Sequence, residues 1–148
     1  MPLHRKTSLV VLALALMACS GATPPTAPDA VPALPGTPPP IGTGVTGRFV
    51  KTRYDVSGTA TVVIANGVAQ LDLSADFSIA QTPGPSLYIN TTNNPNTGTP
   101  IRVASLKGVS GAQRFTFAVP PGTRYTWLVI WCDPFNVPMA EAPIPPTP

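Results

Sequence analysis

Between Gly44 and Ala142 hydrophobic and polar residues alternate in short runs, with the period of two that a half-buried strand requires. Thr59-Ala60-Thr61-Val62-Val63-Ile64-Ala65 turns Ala60, Val62 and Ile64 to one side. Asn66-Gly67 supplies two residues that tolerate positive φ, and Val68-Ala69-Gln70-Leu71-Asp72-Leu73 returns antiparallel. Further strands are predicted over 47–56, 75–79, 87–90, 101–106 and 113–119, divided by Pro83-Gly84-Pro85, the polar loop 91–99 and Pro120-Pro121-Gly122. The strongest run is Tyr125 to Cys132. Tyr125, Trp127, Val129 and Trp131 alternate with Leu128, Ile130 and Cys132, so both faces are apolar and the strand is predicted to be central. Pro134 cannot donate to a ladder, so pairing is expected to stop close to Cys132. Strands at this spacing without a helical pattern predict one all-β domain, an antiparallel β-sandwich or small barrel, over residues 44–142.

The ends have a different grammar. His4-Arg5-Lys6, the apolar run Leu9 to Leu16 and Met17-Ala18-Cys19 read as an export signal over residues 1–18, too short to cross a membrane as a helix. Leu16-Met17-Ala18-Cys19 also resembles the lipobox of bacterial lipoproteins, which implies lipidation of Cys19 and a membrane anchor. Ser20, rather than aspartate, after that cysteine implies the outer membrane if the host has two. Residues 19–43 form a Pro-rich linker: eight of the 21 prolines fall within residues 22–40, which predicts an extended tether. Residues 143–148 are a second Pro-rich stretch, expected to fray.

Cleavage of the signal changes the charge. The net charge of +3 includes Arg5 and Lys6, and without these two it is +1. The remaining basic residues are dispersed singly, so nucleic acid is not an expected partner. His4 is the only histidine. A mature chain without it has no Ser-His-Asp or Cys-His arrangement and no histidine-ligated metal. Asp72 and Asp76 read as a solvated face rather than a carboxylate pair.

The ordered set Gly47-Arg48-Phe49, Tyr54, Ser57-Gly58-Thr59-Ala60, Leu71-Asp72-Leu73, Asp76-Phe77, Gly84-Pro85-Ser86-Leu87-Tyr88-Ile89, Leu106-Lys107-Gly108, Gly111-Ala112-Gln113-Arg114-Phe115, Val129-Ile130-Trp131-Cys132, Phe135 and Val137 resembles the DM13 domain. The resemblance implies a β-sandwich-like extracellular module proposed to transfer electrons. Its characteristic cysteine, which maps onto Cys132, would act as a bare thiol or as ligand to a group such as haem. Two departures are Met139-Ala140, where the family usually shows an aromatic followed by glycine, and Ser86, where aspartate is common.

Two readings of Cys132 follow. In one it is a redox thiol meeting a redox protein partner, or a haem ligand with Met139 or a tyrosine (Tyr54, Tyr88, Tyr125) as second ligand and with Trp131 and Phe135 lining the pocket. In the other it is a small hydrophobe in the core of a non-catalytic surface or adhesion module. Asp133 beside it opposes ionisation, and Arg124, the cation nearest along the strand, lies most of a strand's length away.

Overall fold

A computed structural model describes residues 22–148. The signal segment 1–18 and Cys19 lie outside the described residues. Among the described residues eleven strands form: β1 (Val45–Arg48), β2 (Val50–Lys51), β3 (Val56–Ser57), β4 (Thr59–Ala65), β5 (Val68–Leu73), β6 (Ser78–Ile79), β7 (Pro85–Asn90), β8 (Ile101–Ser105), β9 (Gln113–Ala118), β10 (Trp127–Cys132) and β11 (Val137–Pro143). A single 3-10 turn, Asp133–Phe135, separates the last two. The strands pair antiparallel into sheets ordered β1-β4-β5-β9 and β2-β11-β10-β7-β8, with a small β3-β6 ribbon beside them. The two large sheets remain separate and face each other across one core, which makes the domain a sandwich and not a closed barrel.

The expected hairpin is present. Val63↔Gln70 through Ala65↔Val68 pair across Asn66 and Gly67, whose φ of 53° and 75° give the left-handed pair of a tight turn. The alternation of β4 and β5 sends Ala60, Val62, Ala69, Leu71 and Leu73 inward against Phe115 and Phe117 of β9. β10 is central, flanked by β7 and β11. Leu128, Ile130 and Cys132 enter the shared core, while Val129 and Trp131 join Tyr88 on the outer face. Tyr125 departs from the expected grouping: it precedes the strand and is buried in the main core.

β11 is a strand that the proline-rich sequence concealed. Its register against β10 shifts between Ile130↔Ala140 and Trp131↔Pro138, leaving Met139 as the extra residue of a bulge. The bulge absorbs Pro138 and lets Met139 and Ala140 both face the core. The carbonyl of Met139, displaced from the ladder, accepts the amides of Arg53 and Tyr54 at 3.4 and 3.2 Å. Pairing of β10 stops at Cys132, as expected, and the chain returns as a new strand, β11, after Asp133-Pro134-Phe135.

Both Pro-rich ends are held against the domain. Pro28 and Ala30 exchange backbone hydrogen bonds with Arg102 on the β8 edge, and Val31 accepts the amide of Ala118 on the β9 edge. The segment thus straps the edge of one sheet to the edge of the other and occupies polar groups that would otherwise invite another strand. This part of the linker lies on the domain instead of standing away from it, which shortens the expected reach of the tether. At the other end Ile144 and Thr147 are buried, and Thr147 exchanges hydrogen bonds with Tyr125 through its amide (3.0 Å) and its hydroxyl (2.9 Å). The tail is pinned, contrary to the expected fraying, because its hydroxyl and amide complete the backbone of Tyr125.

Candidate functional site

Cys132 closes β10, paired to Pro85 of β7 on one side and Val137 of β11 on the other. It is the free cysteine among the described residues, and only 1% of it is exposed. Its thiol donates to the carbonyl of Pro83 at 3.0 Å. The same short segment reaches Met139, where the Thr82 hydroxyl donates to the thioether sulfur at 3.2 Å. Gly84 makes this closure feasible. With φ of +63° it turns where an L side chain is strained, and a Cβ there would stand 2.8 Å from Cδ of Pro134. The Gly84 carbonyl also accepts the amide of Asp133 at 3.3 Å. The Thr82-Pro83-Gly84 turn is therefore the cover of the thiol.

The residues expected around a cofactor do not come together. Cys132 and Met139 share the main core, but Trp131 points to the opposite face of the sheet and donates from its indole nitrogen to Asn136 at 2.9 Å. Phe135 is 56% exposed on the 3-10 turn. Tyr88 lies on the outer face with Trp131, and Tyr125 is pinned by the tail. Both sulfurs are enclosed, each already engaged by the 82–83 segment, with Leu87, Ile130 and Ala140 in the same packed core. This arrangement does not fit a haem, which needs an open slot between its two axial ligands. Among the described residues no three His, Cys, Asp or Glu side chains converge to hold a metal ion.

Behind the thiol, on the outer face, lies a polar cluster that the sequence did not disclose. Asp133 accepts Tyr88 Oη at 2.6 Å on one carboxylate oxygen and Arg102 Nε at 2.8 Å on the other. Arg102 also donates to Ser86 and Ser105 at 2.8 and 2.9 Å and to Asp29 of the strap at 3.1 Å. The Asp133 charge expected to oppose the thiolate is thereby countered by Arg102 on β8; Arg124 plays no part in these contacts. Burial works against the Arg102 charge, but the bond and charge of Asp133, with Asp29, outweigh it and hold its proton more firmly than usual. Tyr88 has its phenol pushed far above the ordinary tyrosine range, chiefly by burial and then by the Asp133 carboxylate. A buried tyrosine needs a partner for its hydroxyl. The sequence signals that need, but only the β7-β8-β10 register supplies the answer by bringing Tyr88, Arg102 and the end of β10 side by side.

No curated protein and no solved structure matches the chain significantly. The family described as electron transfer DM13 matches residues 48–144, a span from the end of β1 to the buried Ile144 that includes Cys132 and its cover. The match takes in nearly the whole sandwich, and the chain belongs to the DM13 family.

Proposed function

We propose that this electron-transfer module works in the cell envelope, anchored by a lipid on Cys19, and that Cys132 is its redox group as a bare thiol. The observation that carries the reading is the placement of this thiol: it ends the central strand, and the glycine-containing turn that accepts its hydrogen bond is itself exposed. A local opening at Pro83-Gly84 would bring Cys132 to solvent without unfolding the sheets. The thiolate would then attack a disulfide of a redox protein partner. One S–S bond breaks, a mixed disulfide forms at Cys132, the partner's second sulfur leaves as thiolate, and the thiol proton passes to water. The tightly enclosed sulfur favours this chemistry over haem ligation.

The experiment is to expose the full chain to glutathione disulfide and read the intact mass. One reversible glutathione per chain, absent from Cys132→Ser, is expected. A folded chain that takes none would leave the second reading, a surface or adhesion module with Cys132 as packing, which the near-complete burial of this residue favours. The anchor is tested separately: Cys19→Ser should release the chain from membranes, and undiminished membrane retention would rule the lipid out.

A further inference from the structure

On the outer face of the β2-β11-β10-β7-β8 sheet, Tyr88 pairs across from Val129 and packs with Trp131 and the half-buried Trp127, residues spaced along β10 on either side of Val129. Opposite strand residues and their diagonal neighbours are the closest contacts a sheet offers, so Tyr88, Trp131 and Trp127 share one apolar patch with Val129. In this patch Tyr88 alone carries an ionisable hydroxyl, and that hydroxyl rests on the Asp133 carboxylate at 2.6 Å. Removing an electron from a phenol makes its proton strongly acidic, and a buried phenol without a base has nowhere to send it. Here the base is in place, and Arg102 and Asp29 set the charge around it.

We infer that Tyr88 and Asp133 form a proton-coupled electron relay: Tyr88 gives one electron to a one-electron-accepting metal centre of a partner protein while its hydroxyl proton moves to Asp133. The products are a neutral tyrosyl radical and a protonated carboxyl group; reduction returns the electron to the ring and the proton to Oη. The inference rests on the electron-transfer reading of the module but not on Cys132, which faces the other side of the sheet. The high proton affinity of the Tyr88 phenol keeps it protonated until it is oxidised.

The test is flash oxidation of the full chain by photogenerated tris-bipyridine ruthenium(III), with electron paramagnetic resonance of the trapped radical. Tyr54→Phe and Tyr125→Phe in every sample leave Tyr88 as the remaining tyrosine. A tyrosyl signal is expected, lost in Tyr88→Phe, formed at least about tenfold more slowly in Asp133→Asn, whose amide cannot take the proton, and slowed in deuterium oxide. No tyrosyl signal, or one insensitive to both Asp133→Asn and deuterium, overturns the inference. Should Asp133→Asn fail to fold, the deuterium effect in the aspartate form decides. A chain that takes up glutathione at Cys132 yet forms no Tyr88 radical loses this inference and retains the proposed function; the reverse result separates them in the other direction.

Discussion

The thiol of Cys132 donates to the carbonyl of Pro83 at 3.0 Å, and that carbonyl belongs to a turn whose next residue, Gly84, has no room for a side chain. That exposed turn is the proposed seal over the redox candidate, which otherwise faces the core between the sheets. Opening the turn is expected to expose the sulfur while β7, β10 and β11 stay paired.

Gly84→Ala tests this seal. The new Cβ would be strained by the positive φ and would press on Pro134. We expect a loss of about 1–2 kcal/mol in global stability by chemical denaturation. Reaction of Cys132 with a disulfide reagent should become faster by up to the roughly 5–30-fold that this loss corresponds to, while staying well above the rate that global unfolding allows. An unchanged thiol rate would mean that the turn does not control access.

Alkaline pH tests the outer cluster. Tyr88 and Tyr125 both have pKa values raised above the ordinary 10.0, in each case chiefly by burial. Above that value the unfolded chain has released protons that the folded chain still holds, so the folded state binds more protons and stability falls as pH rises. The contribution is present in full below pH 10 and is lost towards the raised folded value, by at most about 1.4 kcal/mol per pH unit for each tyrosine. Tyr88→Phe should flatten this decline, read as the urea midpoint against pH. An identical slope would show that Tyr88 is not held in its neutral form.

The C-terminal stretch is expected to contribute to stability. Ending the chain at Pro143 removes buried Ile144, about 1.5–3 kcal/mol of burial. It also strips the Tyr125 amide of the Thr147 hydroxyl, about 1–3 kcal/mol where no water replaces it. Together these give a fall of roughly 2.5–6 kcal/mol in unfolding free energy. A truncated chain as stable as the full one would contradict the pinned tail.

The strand pattern was legible where alternation is uninterrupted, as in β4, β5, β9 and β10, and where Asn66-Gly67 announced the hairpin. β11 was hidden because Pro138 and Pro143 argue locally against a strand, whereas a bulge at Met139 accommodates the first and the strand ends at the second. Cys132 was legible as the candidate from its position and from the family pattern. Its cover by Pro83 and the Tyr88-Asp133-Arg102 cluster were not, because both depend on the register of strands far apart in sequence. The Pro-rich ends misled for a related reason: composition shows that they cannot form a core, but not that an edge strand or a single orphan amide will bind them.

The most direct test of the account compares the rate at which Cys132 in the native full chain takes up glutathione with the rate of global unfolding, both followed across a denaturant series. Access by local opening gives, without denaturant, a thiol rate well above the unfolding rate and nearly independent of denaturant. A thiol rate that coincides with global unfolding throughout would show that Cys132 is reached only when the sandwich comes apart, and that it serves as packing instead of as the redox centre.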